Sequence, residues 1–256
     1  MDAIKLIAKV RSGVAEIAIE KDRVVIGNGS AFLVNGGLIT NSHVIRPPFE
    51  VDAIRIRFDS SDAKIRLLPE DLYKATSAES PESELDYAFI KLQEPEFKAR
   101  YKFNLGDFKD INVGQKVLFL GFPFGMPQLT AHMGYVSSIH HHKNRDIIQI
   151  DGSVNGGNSG GPLISLKTGD VVGIITRSVT GIIEKQFNNL ILSLQKNQKI
   201  LSQTKASIKV SGIDPIQGIK ASQAAMEQIA RNLKRSANVG IGYAFSINPI
   251  RSDIEN

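Results

Sequence analysis

From Val14 to about Ile175 the chain is a succession of short β-branched and aromatic runs broken by glycine, the rhythm that packed antiparallel strands and hairpins produce. Val24-Val25-Ile26 and Ala31-Phe32-Leu33 flank Asn28-Gly29, a hairpin-turn signal, and Asn35-Gly36-Gly37 turns the chain into Leu38-Ile39-Thr40. Ile54, Ile56 and Phe58 alternate with Arg55 and Arg57. Tyr87–Leu92, Val117–Leu120, Tyr135–Ile139, Ile147–Ile150 and Val171–Ile175 supply further strands. Roughly a dozen such strands predict an all-β body of two small barrels. A chain of 256 residues with 42% hydrophobic side chains is long enough to bury both cores.

One stretch departs from the rhythm. Phe187, Leu190, Ile191 and Leu194 recur at helical spacing, as do Ile216, Ile219, Met226, Ile229, Ala230 and Leu233. Asp214 precedes Pro215, a proline suited to a first helical turn. Strand character returns at Val239–Ile247, so residues 183–236 are predicted to be a helical hairpin inserted within the barrel fold. This segment holds nine Lys/Arg against three acids, a net +6, while the remainder nets −1 although the whole chain carries +5. The basic character therefore belongs to the insertion and not to the body.

Several function classes are excluded or disfavoured. No cysteine means no cysteine nucleophile, disulfide framework or cysteine-ligated zinc. Lys5, Lys9 and Arg11 interrupt the apolar residues of the N-terminal stretch, unlike an export signal, and no run approaches membrane-spanning length. A cytoplasmic protein without a membrane partner is expected. His140-His141-His142 reads as an exposed polar turn within Ile139–Asp146, so no metal or other cofactor is expected. Gly240-Ile241-Gly242-Tyr243-Ala244 lacks a following helix of phosphate-binding character and reads as a barrel strand.

Three segments carry the chemistry: Thr40-Asn41-Ser42-His43-Val44, Leu85-Asp86-Tyr87-Ala88-Phe89, and Gly156-Gly157-Asn158-Ser159-Gly160-Gly161-Pro162. Each alone is weak, since a lone histidine, an aspartate before a strand or a serine among glycines is usually structural. Together they place His, Asp and Ser in the chain order of chymotrypsin-class peptidases, which differs from that of subtilisins and α/β-hydrolases. A serine hydroxyl needs a base, and imidazole has suitable basicity near neutral pH. A buried carboxylate fixes the imidazole tautomer. The expected roles are Ser159 as nucleophile, His43 as base and Asp86 as its holder, with the Gly157 and Ser159 amides forming an oxyanion hole.

These segments, with Gly121-Phe122-Pro123-Phe124-Gly125 and Gly240–Phe245, resemble trypsin-like peptidases of the HtrA (Deg) kind over about residues 14–181 and 237–250. The resemblance implies a chymotrypsin-like double six-stranded antiparallel β-barrel forming a single peptidase domain. Its first barrel would span about 12–105 and its second about 106–182 and 237–250, around the insertion at 183–236. It implies a supporting role for Thr176 near Asp86. Asn158 stands where digestive relatives carry an aspartate that pairs with a newly released amine, which implies control by loop ordering without proteolytic maturation. The family commonly has proline at the position of Gly156, and the glycine implies a less ordered resting loop. No PDZ domain is expected after the peptidase segment, so peptide-tail sensing is not carried over.

The expected pocket floor is Ser153, with Ser178, Ile241 and Tyr243 on the walls. A neutral floor disfavours Lys or Arg selection and favours small or medium apolar side chains. The expected function is a serine endopeptidase acting on proteins or peptides, regulated by a protein partner or by self-association through 183–236. The alternative is a catalytically silent binding module acting through its basic arm. Nucleic acid is the disfavoured partner, because the arm has Phe187 as its one aromatic and no basic–aromatic interleaving.

Overall fold

The apolar runs form thirteen strands among the residues that the computed structural model describes, which are 1–91, 95–142, 144–176, 181–203, 215–236 and 240–255, without the side chains of 96, 181–186, 231–236 and 255. The chain divides into two compact units, Met1–Arg177 with Gly240–Asn256, and Ser178–Val239.

In the first unit, β1 (Val14–Lys21), β2 (Val24–Val34), β3 (Gly37–Thr40), β4 (Ala53–Phe58), β5 (Ile65–Leu67), β6 (Thr76–Ser80) and β7 (Tyr87–Ile90) make one antiparallel sheet, ordered β5-β4-β1-β2-β3-β7-β6. It has seven strands, one more than the sequence suggests. The strands β8 (Lys116–Gly121), β9 (Thr130–His142), β10 (Arg145–Asp151), β11 (Pro162–Ser165), β12 (Val171–Thr176) and β13 (Ile241–Ser246) close into a six-stranded barrel, ordered β10-β13-β12-β11-β8-β9. The result is the mainly β body that the strand rhythm predicts, in the chymotrypsin-like arrangement that the resemblance implies.

Pleating sends successive side chains to opposite faces and so feeds two cores from one strand. On β2, Leu33 joins the core of the first sheet with Ile17, Leu38 and Ile56, while Phe32 joins a second core shared with Leu120, Phe122 and Ile164 of the barrel. This shared core holds the two β structures together, and the chemically suggestive segments meet at its edge.

The Asn28-Gly29 reading is overturned. β2 runs unbroken from Val24 to Val34, and the chain reverses instead at Asp22-Arg23, both with positive φ (51° and 63°), as a two-residue type I′ hairpin turn requires. Gly29 is needed for close approach: a Cβ there would stand 2.5 Å from Val44 Cγ1 and 3.2 Å from the Ser159 carbonyl oxygen. The His140–His142 run is also not a turn. It ends β9, with His142 paired to Arg145 and the reversal falling between them.

Helices frame this body. α1 (Ala3–Val10) buries Leu6 and Val10 and is capped by the Asp2 side chain. α2 (Ser42–Ile45) is a single turn, and α3 (Pro69–Ala75) connects β5 to β6. After β13 the last helix (Asn248–Glu255) buries Ile250, and its Asp253 accepts a hydrogen bond from the Tyr87 hydroxyl. In the second unit, α4 (Gly181–Gln203) and α5 (Pro215–Ser236) occupy the predicted helical stretch, and α5 starts at the expected proline. Gln195 and Gln198 of α4 both donate to Glu227 of α5 at 3.0 Å. Ile191, Leu194 and Ala230 are buried, whereas Leu190, Ile219, Met226 and Ile229 are each about half exposed. No helix among the described residues is long and apolar enough to cross a membrane.

Candidate active site

A one-turn helix cannot hold itself in place, so α2, which carries His43, is braced from outside. Glu79 on β6 accepts from Ser42 Oγ at 2.7 Å and from Arg46 Nη2 at 2.8 Å, gripping the residue before His43 and the one three beyond it. Arg46 in turn lies 3.7 Å over the Tyr73 ring. Burial presses the Glu79 carboxyl upward, but the bonds from Arg46 and Ser42 hold it below the usual range.

Asp86 meets His43 from the other side. Its Oδ2 stands 2.8 Å from His43 Nδ1, its Oδ1 accepts from the His43 amide at 3.1 Å, and Thr176 Oγ1 donates to Oδ2 at 3.1 Å. The residue adopts φ 51°, a left-handed conformation that aspartate tolerates better than most side chains. Asn41 secures that conformation by donating from Nδ2 to the Asp86 carbonyl at 2.7 Å. Asp86 is 1% exposed. Burial pushes its carboxyl upward, but the bonds and charge of His43, together with Thr176, hold it below the usual aspartate range. Thr176 is thus in direct hydrogen-bond contact with Asp86.

His43 Nε2 is buried and has no hydrogen-bond partner among the described residues, so Ser159 Oγ is not bonded to it in this structure. The Ser159 main chain lies against the residues flanking His43. A Cβ on Gly160 would fall 2.3 Å from Thr40 Oγ1 and 3.1 Å from the Asn41 amide, and Gly29 fits between Val44 and the Ser159 carbonyl.

The loop before Ser159 has alternating amides. Gly157 (φ 101°) and Gly160 (φ 87°) take backbone conformations that favour glycine, and a Cβ at Gly157 would lie 2.2 Å from the Phe122 carbonyl. The Asn158 amide bonds to the Asn155 carbonyl at 3.0 Å and the Gly160 amide to the Ile175 carbonyl at 2.8 Å. Among the described residues, the Gly157 and Ser159 amides donate to nothing. Gly156 has open space about it, and its carbonyl accepts from the Phe124 amide at 2.7 Å, a restraint on the freedom that the glycine implies. Asn158 is fully buried, and its side-chain amide has no partner among the described residues. An aspartate here would place an uncompensated charge in the interior.

The pocket residues are placed unequally. Ser153 Oγ accepts from the Gly240 amide at 2.8 Å. A Cβ on Gly242 would lie 2.5 Å from Val154 Cγ2 and 2.7 Å from the Gly152 carbonyl, so Gly242 is the β13 residue that abuts the 152–154 segment. Strand alternation turns Ile241 and Tyr243 to the other face. Tyr243 is buried and Ile241 is 45% exposed. Ser178 lies outside the described residues. His141 contacts Asp146, and among the described residues no three His, Asp or Glu side chains gather to hold a metal.

Asn41, Glu79 and Ser30, which bonds directly to the loop carrying Ser159, are absent from the sequence-level site. Asn41 lies within a quoted motif without an assigned role, and Ser30 was hidden by the Asn28-Gly29 turn reading.

Comparisons with known proteins agree with this fold. Residues 29–174 match the family model described as a trypsin-like peptidase domain. The chain is 34% identical over 168 residues to the Bos taurus "Serine protease HTRA2, mitochondrial", covering 61% of this chain and 33% of that protein. It is 36% identical over 163 residues to the Mus musculus "Serine protease HTRA4", covering 60% and 30%. It therefore spans about a third of the length of these curated relatives. The solved structure "HtrA-type protease AlgW with tripeptide" superposes with a TM-score of 0.59 at 22% identity, covering 97% of this chain and 60% of that one.

Proposed function

We propose, from the premise that this chain belongs to the trypsin-like peptidase family and is HtrA-like within it, that it is a serine endopeptidase with Ser159 as nucleophile. Ser159 Oγ bonds to the substrate carbonyl carbon as its proton passes to His43 Nε2. The resulting oxyanion lies against the Gly157 and Ser159 amides. Collapse breaks the C–N bond, and the leaving amine takes the proton from His43. Water then repeats the sequence on the acyl-enzyme, releasing the acid and restoring Ser159. Asp86 remains ionised throughout, in keeping with a carboxyl held below its usual range.

The observation that carries the reading is the 2.8 Å contact of Asp86 with His43 Nδ1, which commits that nitrogen and leaves Nε2 to exchange the proton. The test is peptide hydrolysis by purified protein. Ser159→Ala and His43→Ala should each lose on the order of 10⁶ in turnover, and Asp86→Asn about 10⁴, with melting temperatures unchanged for the serine variant. Activity near wild type in Ser159→Ala contradicts the assignment. A wild type that binds peptides without cleaving them under any condition supports a silent binding module instead.

Regulation is proposed to act through the α4–α5 arm, motivated by its +6 charge and its partly exposed apolar residues, which suit an acidic protein partner. Replacing residues 183–236 by a Gly-Ser linker should preserve the β body and abolish the response to the activating partner. An unchanged response makes the arm a spacer. The cytoplasmic location is a separate proposal, since relatives carry names such as mitochondrial, chloroplastic and periplasmic; fractionation of the source cells decides it.

A further inference from the structure

Ser30 is a fully buried residue of β2 whose polar groups bond outside its own strand pairing. Its Oγ donates to the Gly157 carbonyl at 2.6 Å and accepts from the Phe122 amide at 3.0 Å. Its amide donates to the Ser159 carbonyl at 2.7 Å, and its carbonyl accepts from Thr40 Oγ1 at 2.7 Å. Two of these four bonds hold carbonyls on either side of the Asn158–Ser159 peptide.

In a trans peptide the C=O and the N–H point in opposite directions. Holding the Gly157 carbonyl toward Ser30 Oγ turns the Asn158 N–H away, and it meets the Asn155 carbonyl. Holding the Ser159 carbonyl toward the Ser30 amide turns the Gly160 N–H away, and it meets the Ile175 carbonyl. By the same rule the Ser159 N–H lies opposite the Asn158 carbonyl, which accepts from the Gly161 amide at 3.0 Å, and the Gly157 N–H opposite the Gly156 carbonyl, which accepts from Phe124. Ser30 holds the peptides that flank the Asn158–Ser159 unit, and the Gly157 and Ser159 amides are left over, the pair assigned to the oxyanion. The Ser30 hydroxyl has a single proton, so its bond to Gly157 also fixes it as the acceptor for Phe122, the residue that opens the loop whose Phe124 amide holds the Gly156 carbonyl.

We propose that Ser30 is a positioning residue that sets the direction of the oxyanion-binding amides from the first sheet. The proposal rests on the peptidase reading above. Ser30→Ala removes the donor to Gly157 and lets the Gly157–Asn158 peptide turn. Misdirection on the scale of an ångström costs up to about 100-fold. Ser30→Ala should therefore lower kcat by about 10–100-fold while KM stays within about twofold.

The discriminating probe is a peptide boronic acid, whose tetrahedral adduct needs the same amides, measured beside the corresponding non-covalent product peptide. Boronate affinity should fall by the same factor as kcat, product-peptide affinity should hold, and Ser30→Cys, with its weak donor, should fall between. If Ser30→Ala does not fold, Ser30→Cys gives the same comparison. Equal losses for boronate and product, or kcat and boronate affinity at wild-type levels in folded Ser30→Ala, overturn the positioning role. A wild type that is not modified at Ser159 by a fluorophosphonate overturns the peptidase reading and this role with it, whereas normal wild-type modification with unaffected Ser30 variants overturns this role alone.

Discussion

Replacing Thr176 by valine removes one hydrogen bond from the Asp86 carboxylate and changes side-chain volume little. Thr176 Oγ1 donates to Oδ2 at 3.1 Å, and the two residues are 3% and 1% exposed, so water cannot take over the bond. A hydrogen bond to a charged group contributes about 1.5–3 kcal/mol. Losing that bond raises the Asp86 pKa, because it favours the ionised carboxylate. In the wild type this carboxyl titrates below its unfolded value. Its contribution to stability is therefore present above the unfolded pKa and disappears as pH falls through the folded one. Thr176→Val should be about 1.5–3 kcal/mol less stable than wild type at pH 7, with the difference shrinking as pH falls through the folded-state titration of Asp86. Urea melts between pH 3 and 8 measure this. A stability difference independent of pH refutes the reasoning, because it means that Thr176 does not act on the ionised carboxylate.

Gly157→Ala forces a Cβ to within 2.2 Å of the Phe122 carbonyl at φ 101° and should abolish turnover, whereas Gly156→Ala meets open space and should retain activity within a few fold. Parallel kinetics on the two variants, with melts confirming that both fold, check the contrast. Peptide-library profiling should show cleavage after small or medium apolar residues, consistent with the neutral Ser153 hydroxyl bonded to Gly240; selection of Lys or Arg contradicts the pocket assignment.

The sheet and the barrel were legible because strand alternation and glycine spacing are local signals, and the insertion because its apolar residues switch to helical spacing; that the first sheet has seven strands and stays open was not. What stayed hidden depends on contacts between distant segments. Asn28-Gly29 has the composition of a hairpin turn, yet Gly29 serves the approach of Val44 and Ser159, and Asn28 Nδ2 donates to the Phe122 carbonyl at 2.8 Å. The actual turn uses Asp22-Arg23, where arginine at positive φ gives no compositional cue. His43, Asp86 and Ser159 could be singled out because their order and neighbouring residues are distinctive. Ser30 and Asn41 look like ordinary polar residues until folding sets the first beside Gly157 and the second beside Asp86. Composition does not fix strand phase, so the sequence points to Ile241 and Tyr243 without showing that Gly242 makes the close contact with residues 152–154.

The central claim is that Ser159 is a nucleophile activated by His43. Intact-protein and peptide mass spectrometry after treatment with a fluorophosphonate measures it most directly. The wild type should gain one phosphonyl group, located on Ser159, and Ser159→Ala and His43→Ala should gain none. A wild type that stays unmodified with and without source-cell extract, or a label on another residue that persists in Ser159→Ala, would contradict the account.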